Sequence, residues 1–190
     1  MDDLRRDFTV RPLTPARWPD LEQLFGERGA SSGCWCMWWR IAAKEWEHNA
    51  GAGNRAAFRR VVASGPAPGL LAYEGGVPVG WVAVAPRTAY PRLNRSPKLR
   101  AEDDTPVWAV TCFSFDRHAR GSGVAGTLLA AAVEHARAAG AAAIEGYPID
   151  PAGGTVTNAA AYTGVLDMFR AAGFEEIERR GGRPILRRNL

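Results

Sequence analysis

The run Arg120-Gly121-Ser122-Gly123-Val124-Ala125-Gly126 is the sharpest chemical feature of the chain. It follows an apolar stretch, residues 107–115, that reads as a buried strand, and it opens a helix over residues 123–139. Glycines there let the main chain approach a ligand closely, and the free amides of a helix's first turn point at whatever sits above them. The dipole end and the converging N–H donors favour negative charge, so the natural ligand is a phosphate or pyrophosphate. Arg117 and Arg120 add positive charge nearby. Two familiar motifs fail here. A Walker loop needs a Gly-Lys-Ser/Thr ending, which is absent. Gly121, Gly123 and Gly126 do spell Gly-x-Gly-x-x-Gly, but they follow a late strand rather than the first strand of a repeated strand-helix-strand unit.

The elements that must position this run are legible from periodicity. Residues 8–13 alternate apolar and polar and predict a short first strand, followed by a helix that opens at Thr14-Pro15 and runs to about Phe25. Helix resumes over residues 54–63, with Phe58, Val61 and Val62 on one side. Residues 70–74 and 77–86 are apolar runs around Gly75-Gly76, a strong hairpin signal. Residues 87–106 carry no periodicity, and so long a connection inside a compact domain is usually functional or mobile. In the helix over 123–139, Val124, Leu128, Leu129, Ala132, Val133 and Ala136 share one face, and Gly140 caps it. A strand over 143–149, a helix marked by Val165, Met168, Phe169 and Ala172, and a hairpin about Gly181-Gly182 close the chain. The order predicts one α/β (α+β) domain over residues 1–190, with a mixed, mostly antiparallel sheet of about seven strands and helices on both faces.

Arg120, Gly123 and Ala125 satisfy Gln/Arg-x-x-Gly-x-Gly/Ala, and Met168-Phe169-Arg170-Ala171-Ala172-Gly173-Phe174 is a late helix closing in Gly-Phe before the last hairpin. In both features, and in the order of elements from Phe8 to Leu190, the chain resembles the GCN5-related N-acetyltransferase (GNAT) superfamily. The resemblance implies an acetyl-CoA-dependent N-acetyltransferase. It implies a CoA site made by Arg120, Gly121, Ser122, Gly123, Val124, Ala125 and Gly126, and by the backbone of the preceding strand at Phe113, Ser114 and Phe115. The strand over 143–149 would splay away to admit the thioester, and backbone N–H groups of the strand over 107–115 would hold the oxyanion.

The chain departs from the family in two respects, at Phe169 and, seven residues earlier, at Tyr162, where members often have an asparagine. Many members place a tyrosine five residues before the Gly-Phe phenylalanine, where it can protonate the leaving thiolate, and here that residue is Phe169. Tyr162 lies about two helical turns earlier and reaches the same place only if the helix starts late. Ser114 or solvent is the alternative, since a thiol with pKa near ~8.5 leaves with little acid help. For the base, Glu145 is the first candidate because it shares a strand face with Tyr147, and Asp103 or Asp104 competes from the loop. The remaining unusual run, Gly33-Cys34-Trp35-Cys36-Met37-Trp38-Trp39-Arg40, falls beside the acceptor slot by family analogy. Trp35, Trp38 and Trp39 could wall an acceptor and Arg40 could bind an anionic group, with Tyr147 and residues 87–106 completing the wall. The alternative is that the tryptophans are core anchors. Cys34 and Cys36 read as small buried hydrophobes.

Composition narrows the classes. With 46% hydrophobic and 23% charged residues among 190, the chain can bury a real core. The net charge of +4 comes from scattered arginines, Lys44 and Lys98 being the only lysines. The loose cluster Arg87, Arg92, Arg95, Lys98 and Arg100 faces Glu102, Asp103 and Asp104, which predicts a solvated loop and not a nucleic-acid surface. No apolar run reaches a membrane span, and the opening Met1-Asp2-Asp3-Leu4 is unlike a signal peptide. Three cysteines form no disulfide framework, so a reducing, cytoplasmic compartment is expected. Together with His48, His118 and His135 they show no recurring metal-ligand spacing, so no metal is expected. The expected acceptor is a small-molecule amine, such as an amino-sugar antibiotic or a metabolite amine. A protein or peptide amine is the alternative, as is a non-catalytic acyl-CoA-binding module. A second copy of the chain is the one expected protein partner, as a homodimer.

Overall fold

The computed structural model describes residues 7–101, 103–151 and 161–190. Seven strands form one sheet in the order β1-β2-β3-β4-β5-β7-β6. They are β1 (Thr9–Pro12), β2 (Gly69–Glu74), β3 (Val77–Pro86), β4 (Val107–Phe115), β5 (Ala143–Gly146), β6 (Glu175–Arg180) and β7 (Arg183–Asn189). Every neighbouring pair is antiparallel except β4 and β5. The helices are α1 (Trp18–Phe25), α2 (Ala43–His48), α3 (Ala52–Ser64), α4 (Pro91–Arg95), α5 (Val124–Ala138) and α6 (Leu166–Ala171). Among the described residues no helix is long and apolar enough to cross a membrane.

The β2–β3 hairpin turns at Gly75 and Gly76, with φ of 56° and 82°. A tight hairpin needs both central residues in the left-handed region, where a side chain is disfavoured. The parallel pairing of β4 with β5 requires a crossover, and α5 supplies it. Its apolar stripe, including Leu128, Leu129 and Val133, packs on one sheet face with Val82, Val110 and Ile144. On the other face α1 and α3 bury Leu21, Phe25 and Phe58 against Leu71 and Trp81. Both faces are therefore covered, as expected for a sheet whose central strands are almost wholly apolar.

The structure departs from the expectations in two elements that matter for the site. Residues 87–106 are not an open loop. They hold a 3-10 turn (Arg87–Ala89) and α4, and they bury Tyr90, Leu93 and Leu99 against Ala109, Tyr147 and Ile185. Arg87, expected in a solvated cluster, is itself buried. The strand expected over 143–149 stops at Gly146, because Pro148 has no N–H to give a ladder, and only an isolated bridge from Ile149 to Val165 follows. The helix α2 is an addition to the elements expected from periodicity.

Candidate active site

Strands β4 and β5 stay paired only from Val107↔Ala143 to Val110↔Gly146. Beyond that, β4 continues to Phe115 with β3 on one side and, among the described residues, no strand on the other. The β3 register steps from Val84↔Val110 to Ala83↔Cys112, which leaves Thr111 as an extra residue at the parting point. Such a bulge sharpens local twist and turns the strand away from its former partner. The unpaired backbone edge of residues 111–115 lines a cavity of about 690 Å³.

One end of this cavity is the start of α5. Gly121 and Gly123 have φ of 74° and 88°, and a Cβ built on either would meet nothing within 4 Å. The bare main chain therefore stands open to the cavity, which is the arrangement a bulky anion needs to approach the amides of the helix start. No acidic residue occupies the first turn of α5, and Arg120 lines the cavity beside the glycines. Val124 and Ala125 line it too.

The opposite wall comes from residues 30–46. Trp38 packs edge-on to Trp46 with centroids 5.0 Å apart and to Trp39 at 6.3 Å, and all three border the cavity. The Arg92 guanidinium lies 3.5 Å from the Trp38 ring centroid and donates to the Trp38 carbonyl at 3.3 Å, bracing the wall from behind. Ser114, Tyr162 and Cys112 line the cavity as well, and Cys34 and Cys36 belong to the 30–46 wall. Among the described residues no cluster of three or more His, Cys, Asp or Glu could hold a metal ion.

The sequence matches the acetyltransferase (GNAT) family over residues 14–148, well over half of the chain. The chain belongs to the GNAT acetyltransferase family. No curated protein matches it in sequence. Solved structures share its fold at low identity. The NatC complex bound to Gag peptide and CoA matches with a TM-score of 0.57 at 14% identity, covering 97% of this chain and 99% of that one. An agmatine N-acetyltransferase matches at 0.56 and 13%, covering 97% and 100%. A ribosomal-protein-alanine N-acetyltransferase from Brucella melitensis matches at 0.52 and 19%, covering 96% and 99%.

Within this GNAT chain the residues singled out from sequence divide into two groups. Phe113, Ser114, Phe115, Arg120, Gly121, Gly123, Val124, Ala125, Trp38, Trp39 and Tyr162 line the cavity. Ser122 does not, its hydroxyl being turned back onto the Ala119 carbonyl, and Gly126 sits one residue too deep in α5. Trp35 is a core residue, stacked on Trp18 at 5.9 Å and tilted against Phe25 at 5.6 Å. Arg40 lies over the Tyr90 ring at 4.5 Å and donates to its hydroxyl, away from the cavity. Tyr147 is buried among Tyr90, Leu93 and Ile185, and the described residues of 87–106 add nothing to the lining.

Glu145 requires the largest correction. Arg87 meets its Oε2 at 2.8 Å, Arg187 meets its Oε1 at 2.8 Å, and the Tyr147 hydroxyl donates to Oε2 at 2.8 Å. The side chain is buried and lies outside the cavity. Both of its oxygens are engaged by two guanidinium groups and a hydroxyl, so neither is open to an amine. Glu145 and Tyr147 do share a face, as alternation predicts, but the segment 87–99 covers that face. Asp103 is no replacement, because Arg187 chelates both of its oxygens and holds its carboxyl well below the usual carboxylate range. Asp104 is exposed and stands outside the lining.

Tyr162 and Phe169 separate cleanly. Helix α6 begins only at Leu166, so Tyr162 sits before it in a 3-10 turn (Ala161–Thr163) and reaches the cavity. Burial pushes its phenol up to about 12, so the proton stays on the oxygen at neutral pH. Phe169 is wholly buried, edge-on to Phe174 at 5.1 Å and to Phe113 at 6.4 Å. A Cβ on Gly146 would lie 2.0 Å from its ring, so β5 and α6 pack together through this pair. Sequence reasoning missed Trp46, Thr111 and the cysteines as lining residues. The repeat of tryptophan at 38 and 46 was the one available signal for the first.

Proposed function

We propose that the protein transfers the acetyl group of acetyl-CoA to a primary amine of a small molecule by direct attack of the amine on the thioester. The observation that carries this reading is the unpaired β4 edge at residues 111–115, which joins the bare helix start at Gly121 and Gly123 to the tryptophan wall in one cavity. Arg120 and the first amides of α5 would hold the pyrophosphate of the co-substrate. The pantetheine arm can lie along β4 as an added strand, its amides pairing with the exposed backbone. N–H groups at the same edge face the place where charge develops on the thioester oxygen. The Tyr162 hydroxyl, protonated through the neutral range, is the donor that fits the leaving sulfur.

The acceptor end is aromatic and, among its described lining residues, carries no Asp, Glu or His. A polycationic amino sugar would find no carboxylate there. An amine with a single charge and an apolar or aromatic body suits the three indoles better, through cation–π contact and burial. The agmatine and ribosomal-protein-alanine acetyltransferases that share the fold act at opposite ends of this choice, by their names. A panel of aryl-alkylamines, polyamines, amino sugars and peptide N-termini, incubated with acetyl-CoA while thiol release is followed, tests the reading. Turnover highest with the aryl-alkylamines supports it, and turnover confined to peptides or to polycations overturns it.

A further inference from the structure

Resting on the transferase reading above, we infer that Cys36 is the group that takes the proton from the acceptor ammonium. A primary amine with pKa near ~10 arrives protonated at neutral pH and must lose a proton before its nitrogen can attack. The cavity offers few groups able to accept one. Its described lining contains no carboxylate and no imidazole, and residues 152–160 include neither acid nor histidine in sequence. Besides the neutral Ser and Thr hydroxyls and the indoles, what remains is Tyr162, which holds its proton, Arg120, whose guanidinium has no acceptor atom, and three thiols.

Of the three, Cys36 is the one whose surroundings favour a thiolate. Trp81, wholly buried on β3, donates its indole N–H to the Cys36 sulfur at 3.0 Å. An indole can only donate, so the sulfur is the acceptor in this bond. Arg40, four residues on, brings a guanidinium that has no carboxylate partner among the described residues, and its Nε has no hydrogen-bond partner there either. Cys36 is itself held at φ of 56°, a left-handed conformation unusual for a residue with a side chain and often found at working sites. The titratable and charged groups that face it are Cys112 from β4, Arg40 and Cys34 from its own loop, and Tyr90 from the segment before α4. The hydrogen bond from Cys112 lowers the Cys36 thiol first, with Trp81 and Arg40 acting the same way against burial. Cys112 moves in the opposite direction, its own proton held by the bond to Cys36 and by burial. Burial pushes the Cys34 thiol up, and burial does the same to the Tyr90 phenol. The two thiols therefore move apart, Cys36 toward the thiolate and Cys112 away from it.

An N–H bond of the ammonium breaks and the proton passes to the Cys36 thiolate, giving a neutral amine and a thiol. The nitrogen lone pair forms the bond to the thioester carbonyl carbon, the carbon–sulfur bond breaks, and the second nitrogen proton leaves to water. Tyr162 protonates the CoA sulfur and recovers its proton from water, and the Cys36 thiol releases its proton to solvent, for a net loss of one proton per turnover.

The test has two arms. In the first, without any amine, iodoacetamide alkylation of Cys36 in the wild-type chain is followed against pH by peptide mass. The expected midpoint lies below the ~8.5 of a free thiol, and a midpoint at or above it overturns the assignment. In the second, Cys36→Ala and the more nearly isosteric Cys36→Ser are compared with wild type. Acetyl-CoA affinity should be unchanged, while kcat at neutral pH falls on the order of 100-fold and the deficit narrows toward pH ~10, where the amine is already neutral. Folded variants with undiminished turnover and the parent pH profile overturn the base assignment alone. An acetyl group found on Cys36 after acetyl-CoA alone, and discharged by amine, replaces it with a covalent relay. A wild-type chain that binds acetyl-CoA but acetylates no amine overturns the transferase reading and this inference with it.

Discussion

Arg87 and Glu145 form an ion pair at 2.8 Å in which only 8% and 2% of the two side chains remain exposed. Arg87 comes from the segment between β3 and α4, and Glu145 from β5, so the pair ties the connection to the sheet. Arg187 on β7 closes the cluster from the other side. Arg187 keeps Asp103 as a partner, but removing the Glu145 carboxylate leaves the deeply buried Arg87 guanidinium with no carboxylate to offset its desolvation. Glu145→Gln is therefore expected to lose about 3 to 5 kcal/mol of stability, with acetyl-CoA affinity intact in whatever remains folded. Chemical denaturation beside calorimetric titration separates the effects. A variant that melts like its parent but cannot turn over would restore Glu145 as the base.

Gly123 stands at φ of 88° before open space. A Cβ there meets no protein atom within 4 Å, so the cost of Gly123→Val to folding is chiefly left-handed backbone strain, about 1 to 2 kcal/mol. Its branched side chain would occupy the approach to the α5 amides. Acetyl-CoA binding should fall at least tenfold by calorimetry while the chain stays folded by circular dichroism. Unchanged affinity would move the co-substrate elsewhere.

Tyr162→Phe keeps the ring that lines the cavity and removes its proton. We expect kcat to fall roughly 10- to 100-fold with little change in the acetyl-CoA KM. Because the phenol is pushed up to about 12, it is protonated throughout the range in which the protein can be assayed, so it contributes no basic limb below pH ~11. A wild-type rate that declines between pH 8 and 10 and loses this decline in Tyr162→Phe would contradict the role as acid.

Trp35 and Trp38 should respond differently to the same substitution. Trp35 is 3% exposed and stacked in the core with Trp18, so Trp35→Ala is expected to cost about 3 to 5 kcal/mol and to damage every activity together. Trp38 borders the cavity and is backed by Arg92, so Trp38→Ala should raise the acceptor KM about tenfold and leave the acetyl-CoA KM within twofold. Melting temperatures measured beside the two KM values distinguish the cases. Equal loss of stability in both variants would make Trp38 core as well.

Local features of the sequence determined the hairpin at Gly75-Gly76, the full extent of β4, the stripe of α5 and the glycine run before it. Each is a property of neighbouring residues, set by backbone sterics, by side-chain periodicity or by the amides of a helix start. Tertiary structure decided which side chains meet. The alternation of Glu145 and Tyr147 fixed their common face, but that face could be seen to be covered only once Arg87, 58 positions away, had folded across it. Likewise, Tyr162 enters the cavity because α6 starts at Leu166, and Cys36 acquires its environment from Trp81 on β3, Cys112 on β4 and Arg40, residues that no window of sequence brings together. A carboxylate or a thiol is chemically the same in any chain. Its basicity is set by the charges, donors and solvent around it, and those are supplied by packing between distant segments.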